Sequence, residues 1–96
     1  MTKREEIEET LRRLKPVLRE KFKVKEIGVF GSCARGEESE ESDVDVLVEF
    51  YEPIGWEFID VKEFLEEILG REVDLVTRGA LKPQLRDEIL KEVVYA

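Results

Sequence analysis

The clearest strand signal in this chain is the stretch Asp43-Val44-Asp45-Val46-Leu47-Val48-Glu49-Phe50. Its valines and Phe50 alternate with the remaining residues, and a period of two is typical of a strand that buries one face. Asp43 and Asp45 are two residues apart, so they project from the same face, about 7 Å apart along the chain. The strand therefore presents a pair of carboxylates where it begins.

Apolar periodicity on both sides of this strand predicts the other elements. It predicts helices over 3–21, 56–69 and 83–94 and strands over 25–31, 43–50 and 72–77. The last helix is expected to turn Leu85, Ile89, Leu90 and Val93 inward. With a short helix beginning at Ser32, the order alternates between helix and strand throughout. We therefore expect an α/β (α+β) fold with a small mixed β-sheet and helices mainly on one face.

Length and composition limit the classes of function. With 96 residues, the chain is expected to form a single domain over 1–96. The sequence shows no membrane span and no signal-peptide pattern, and its one cysteine excludes an internal disulfide framework, so we expect a cytoplasmic protein. The charged fraction of 42% is typical of proteins from hot environments.

The charges also constrain ligands. The net charge is −8 and the basic residues are scattered, so no direct nucleic-acid binding is expected. Because histidine is absent, a metal site must use mainly oxygen ligands, which favours Mg²⁺, with Mn²⁺ as the alternative. Only five of the 24 acidic residues are aspartates, and three of the five belong to apolar strands. Those three aspartates are the candidate metal ligands.

A glycine-serine turn follows the first predicted strand, in the stretch Gly31-Ser32-Cys33-Ala34-Arg35-Gly36. Glycine lets the backbone approach a phosphate closely, and free N–H groups at the start of a helix point toward a bound anion. The Ser32 hydroxyl can donate to a phosphate oxygen, and Arg35 can reach the same phosphates. Alternatively, Arg35 pairs with the acidic segment 37–41 or caps a helix end.

The third aspartate, Asp74, lies in the apolar stretch Glu72-Val73-Asp74-Leu75-Val76. If this strand pairs beside Asp43 and Asp45 in the right register, three carboxylates converge, and only cations can relieve their repulsion. Two divalent ions in such a site would activate a hydroxyl and neutralise a leaving pyrophosphate. Asp43 and Asp45 would bridge both ions, and Asp74 would bind one ion nearest the attacking hydroxyl. Alternatively, Asp74 is an ordinary surface residue of its strand.

These motifs together resemble the minimal nucleotidyltransferase (MNT) family of the polymerase-β-like nucleotidyltransferase superfamily. The resemblance is carried by Gly31-Ser32-x-Ala34-Arg35-Gly36, by Ser42-Asp43-x-Asp45 and by Val73-Asp74-Leu75-Val76, and it extends over nearly the whole chain. It implies a nucleotidyltransferase palm without template-binding lobes. It also implies a metal triad of Asp43, Asp45 and Asp74, with Gly31, Ser32 and Arg35 handling the phosphates of ATP.

The resemblance further implies an antitoxin that transfers AMP from ATP to a tyrosine of a partner HEPN-type ribonuclease toxin. Two alternatives stay open. The chain could neutralise the toxin by forming a complex without catalysis, because a charge of −8 suits a basic partner. It could instead modify a small molecule, although 96 residues leave little room for the acceptor unless a dimer supplies it. A homodimer or a hetero-oligomer is compatible with the aromatic residues Trp56, Phe58 and Phe64.

Overall fold

The computed structural model describes residues 3–31 and 44–96. The elements in these ranges are α1 (Lys3–Phe22), β1 (Val24–Phe30), β2 (Val44–Phe50), α2 (Glu57–Leu69), β3 (Val73–Thr77), a 3-10 turn (Arg78–Ala80), α3 (Pro83–Glu92) and β4 (Val94–Tyr95). Every predicted element in the described ranges is present, with ends that differ by at most two residues. The two-residue strand β4 was not expected.

The strands form one mixed sheet with the order β3-β2-β1-β4. β1 pairs antiparallel with β2 and with β4, whereas β2 and β3 pair in parallel. The parallel pair needs a crossover, which α2 supplies, and the antiparallel pairs do not. The expected small mixed sheet is confirmed.

One face of the sheet carries the hydrophobic core. α1 packs against β1 and α2, and α2 packs against β3, so both helices cover this face. Successive strand residues point to opposite faces, which is why alternate residues of β2 contribute to the core. The fully or nearly fully buried core side chains are Ile7, Leu11, Leu18, Val24, Ile27, Val29, Val44, Val46, Val48, Val61, Leu65, Val73 and Leu75.

α1 runs through Pro16 without a break over its 20 residues. Proline costs the helix one backbone hydrogen bond, and here Pro16 lies on the exposed side. The helix ends at Phe22, whose ring packs against Phe64 of α2 with centroids 5.3 Å apart. Lys23 then adopts a left-handed conformation, φ 62°, which turns the chain directly into β1.

The C-terminal segment differs from the prediction of a helix over 83–94. α3 ends at Glu92 because the following residues pair with the free edge of β1, where the Ala96 N–H donates to the Ile27 carbonyl at 2.9 Å. No residue of α3 is buried, and Leu85, which was expected to face inward, is 47% exposed. Pairing with the edge of β1 therefore replaces the last turn of the predicted helix.

α3 crosses from one edge of the sheet to the other. Right-handed crossovers that run in opposite directions place their helices on opposite faces, so α3 belongs on the face away from α2. The residue that follows α3 supports this placement. Val93 Cγ1 lies 3.2 Å from the position that a Cβ on Gly28 would take, and that position is on the face of β1 opposite the core. Helices thus lie mainly on one face, as expected. None of the helices in the described ranges has the length and apolar character of a membrane span.

Candidate active site

Asp45 and Asp74 are direct register partners on the parallel strands β2 and β3. Residues paired in this way project from the same face, and neighbouring strands lie about 4.8 Å apart. Asp45 is half-buried and Asp74 is exposed, whereas their neighbours Val44 and Val73 are buried on the core face. The two carboxylates therefore point away from the core, side by side, at the beginning of both strands.

Gly31 brings the end of β1 against the Asp45 carboxylate. The last residue of β1, Phe30, is the antiparallel partner of Asp45, so the chain passes the carboxylate as it leaves the strand. A Cβ at Gly31 would collide with Asp45 Oδ2 and lie 3.1 Å from its Cγ. Gly31 also has a φ of +71°, which favours glycine. The first residue of the glycine-serine turn thus touches a candidate metal ligand.

One peptide group, between Glu72 and Val73, is held on both sides immediately before Asp74. Its carbonyl accepts the Val44 N–H from β2 at 3.0 Å. Its N–H donates to Glu66 Oε2 of α2, also at 3.0 Å. Because a trans peptide directs its C=O and N–H in opposite directions, the first bond faces β2 and the second faces the outer edge of the sheet. This arrangement ties the beginning of β3 to β2 and to α2.

The remaining predicted site residues, Ser32, Arg35 and Asp43, lie outside the described residues. The convergence of three aspartates therefore stays a prediction, and the structure brings two of them together. Over 3–31 and 44–96 there is no group of three acidic, histidine or cysteine side chains that could hold a metal ion. The donor set nevertheless fits Mg²⁺ or Mn²⁺, since adjacent like-charged carboxylates supply the oxygen ligands that hard divalent cations prefer.

A cleft of about 670 Å³ lies at the other end of β2 and β3. Its lining includes Glu49, Tyr51, Arg78 and Arg86, and Asp45 and Asp74 do not contribute to it. Arg78 Nη1 lies 4.0 Å from Glu49 Oε2, so part of the positive charge in the cleft is offset within it. The cleft is separate from the paired aspartates.

Sequence patterns missed the contact made by Glu66. The residue belongs to a helix rich in glutamate, and nothing in its spacing distinguishes it from exposed neighbours such as Glu67. The available signal was its position four residues before Gly70, whose left-handed conformation (φ 68°) ends α2. A side chain at that position lies over the short connection to the next strand.

Comparison with known proteins assigns the fold and the kind of chemistry. Residues 11–96 match the family described as the nucleotidyltransferase domain. The chain is 53% identical over 92 residues to the protein adenylyltransferase MntA of Thermococcus cleftensis, and the match covers 95% of this chain and 93% of the relative.

Solved structures show the same fold. A putative minimal nucleotidyltransferase superposes with a TM-score of 0.75 at 39% identity, covering 90% of this chain and 92% of the other. The complex of a tri-AMPylated Shewanella oneidensis HEPN toxin with an MNT antitoxin contains a chain that matches with a TM-score of 0.68 at 18% identity, covering 96% of this chain and 70% of that one. At that level of identity the second likeness concerns the fold alone.

Proposed function

Because this chain belongs to the nucleotidyltransferase domain family, we propose that it is an antitoxin that transfers AMP from ATP to a tyrosine hydroxyl of a partner HEPN-type toxin in the cytoplasm. The observation that carries the proposal is the pairing of Asp45 with Asp74 on one face, with Gly31 against Asp45. A closely related chain is named a protein adenylyltransferase, which supports a protein as the acceptor.

The reaction forms one bond and breaks another. The tyrosine oxygen attacks the α-phosphorus of ATP, the bond to the oxygen that bridges the α- and β-phosphates breaks, and pyrophosphate leaves. Asp74, the more exposed of the two aspartates, would accept the tyrosine proton from an approaching partner. Mg²⁺ held by Asp43, Asp45 and Asp74 would supply charge neutralisation for the phosphates and the leaving pyrophosphate.

The turn at Gly31 would bind the triphosphate. Because Gly31 has no Cβ, the Asp45 carboxylate lies directly against the backbone of the turn, so a phosphate bound by the N–H groups of the turn would lie beside Asp45. Ser32 would donate its hydroxyl and Arg35 its guanidinium to the same phosphates. Gly31 would thus hold the nucleotide beside the ligands of its cation.

The direct test incubates the chain with ATP labelled at the α-phosphate, Mg²⁺ and the HEPN-type protein encoded beside it. We expect label on the toxin with the wild-type chain and none with Asp45→Asn or Asp74→Asn. Asp87→Asn is the matched control, because Asp87 is an exposed aspartate of α3. Equal labelling by the wild-type chain and both site variants would contradict the proposal.

Two outcomes would support the other functions. If Asp45→Asn neutralises the toxin as well as the wild-type chain does at equimolar dose, complex formation without catalysis accounts for the antitoxin activity. If label appears on a small acceptor when no protein partner is present, the chain is a small-molecule nucleotidyltransferase. The charge of −8 is compatible with the first outcome.

A further inference from the structure

We propose that Glu66 is a positioning residue, whose carboxylate fixes the peptide group before Asp74 and thereby keeps the aspartates of β2 and β3 in register for a divalent cation. The contact that carries this inference is the 3.0 Å hydrogen bond from the Val73 N–H to Glu66 Oε2. The proposal rests on the proposed function for its metal-binding step.

The Val73 N–H needs a partner that the sheet cannot supply. Within residues 3–31 and 44–96, β3 lies at the edge of the sheet, with β2 as its one neighbouring strand. The Glu72 carbonyl already uses the β2 side of this peptide group, so the N–H faces outward, at a residue whose side chain is buried. A backbone donor left without a partner is costly at such a place, and a carboxylate is a strong acceptor for it.

Glu66 can hold this peptide group in place because two features of α2 fix the position of its own backbone. Its backbone carbonyl accepts the Gly70 N–H at 2.9 Å, which closes the C-terminal end of α2. The preceding residue, Leu65, is fully buried in the core. The side chain therefore connects the start of β3 to a part of α2 that is packed in the core.

The peptide held by Glu66 also reaches the second strand of the site. Its carbonyl bonds to Val44, the residue between Asp43 and Asp45 in the sequence. An acceptor on the N–H side of a peptide group strengthens the hydrogen bond at its carbonyl. Loss of the accepting oxygen of Glu66 should therefore loosen β3 against β2 at the position where the aspartates are paired.

The experiment measures Mn²⁺ affinity of the full chain by electron paramagnetic resonance, at a temperature where thermal melts show every variant folded. Glu66→Ala should weaken Mn²⁺ binding about tenfold or more, the range seen for residues that orient metal ligands. Glu66→Gln keeps an oxygen that can accept the Val73 N–H and should bind Mn²⁺ nearly as well as wild type. Glu67→Ala, an exposed neighbour on α2, is the matched control and should change nothing.

Amide hydrogen exchange provides a readout that does not depend on the metal. In Glu66→Ala the amides of Val73 and Val44 should both exchange faster, whereas amides in β4 should keep their rates. If Glu66→Ala does not fold, Glu66→Asp replaces it: this variant keeps the charge but shortens the reach, so it should lose Mn²⁺ affinity while Glu66→Gln retains it.

Three results would overturn the positioning role: unchanged Mn²⁺ affinity in Glu66→Ala, equal loss in Glu67→Ala, or a Gln variant as defective as the Ala variant. In the first of these cases, faster exchange of the Val73 amide would show that the contact is purely structural. A wild-type chain that binds no Mn²⁺ would contradict the proposed function instead, so the two failures are distinguishable.

Discussion

Asp45 and Asp74 are paired one-to-one on neighbouring parallel strands, a position where like charges oppose each other. Like-charged side chains directly opposite each other on neighbouring strands are destabilising, on the scale of cross-strand pairs in general, which contribute about 0.2–1 kcal/mol. If the two carboxylates bind a divalent cation as proposed, the cation should offset their repulsion, so metal binding should raise the stability of the fold, and this can be measured.

We expect Asp74→Asn to stabilise the metal-free chain by roughly 0.5 kcal/mol while it abolishes AMP transfer, because it removes the repulsion together with a proposed ligand. In the wild-type chain, Mg²⁺ or Mn²⁺ at about 100 times its Kd should add about 2.7 kcal/mol to the free energy of unfolding. The variant should lose that increment. Chemical denaturation with and without metal measures both effects.

The control for this experiment is Asp87→Asn, which lowers the net negative charge by the same amount at an exposed position of α3. It should keep the metal-dependent increment and the activity. A metal increment in Asp74→Asn as large as in wild type would show that Asp74 is not a ligand.

Gly31→Ala should remove activity by displacing the Asp45 carboxylate. The new Cβ would occupy the place of Asp45 Oδ2, and a shift of about 1 Å in a reacting group costs about 100-fold in rate. The left-handed φ of +71° should also cost about 1–2 kcal/mol of stability. Steady-state kinetics and thermal unfolding measure the two effects separately.

Gly70→Ala separates backbone strain from the contact with Asp45. Gly70 has nearly the same φ, +68°, but nothing lies within 4 Å of its added Cβ. The Gly70→Ala variant should lose about as much stability as Gly31→Ala, but it should keep its activity below the melting temperature. If the two variants lose activity equally, the contact between Gly31 and Asp45 has no part in catalysis.

Much of this architecture follows from local patterns. Alternation along 43–50 predicts β2, and the same rule places Asp45 on the face opposite Val44 and Val46. The pairing of Asp45 with Asp74 could be stated only as a condition, because register depends on how α2 returns the chain to the sheet. The contact of Glu66 with Val73 could not be predicted for the same reason, because these residues, seven positions apart, lie on either side of the end of α2.

β4 could not be predicted for a different reason. A strand of two residues carries almost no periodicity, and Val93, Val94 and Tyr95 also suit the end of an apolar helix face. What decides their conformation is the unpaired edge of β1, a feature of the assembled sheet. The 80% exposure of Trp56 could not be predicted either, because it depends on where the chain turns after β2.

Protonation of Glu57 in acid should lower the stability of the chain. The pKa of Glu57 is below its ordinary value of 4.5, chiefly because the Gly55 N–H donates to its carboxylate at 2.9 Å, with further help from its own N–H and from Lys23. A depressed pKa contributes stability above the unfolded pKa, and this contribution is lost as pH falls through the folded one. The melting-temperature difference between wild type and Glu57→Gln should therefore be largest near pH 7 and shrink toward about pH 3.

Glu63→Gln, at an exposed position of the same helix, controls for the loss of one negative charge. Its difference from wild type should show a weaker dependence on pH than that of Glu57→Gln. If the difference for Glu57→Gln is constant across the range, the hydrogen bond to Gly55 does not perturb the carboxylate in solution.

Gly28→Ala should displace β4 from the edge of β1. A Cβ at Gly28 would lie 2.7 Å from the Val94 carbonyl oxygen and 3.0 Å from the Tyr95 Cα, and both are backbone atoms that cannot rotate away. Overpacking of this kind costs about 1–3 kcal/mol. The Ala96 N–H, bonded to the Ile27 carbonyl, should exchange faster in the variant.

The control is Gly55→Ala, which has open space around its added Cβ and should change stability by no more than about 0.5 kcal/mol. An unchanged melting temperature in Gly28→Ala, with Ala96 still protected, would mean that β4 does not pair closely with β1 in solution.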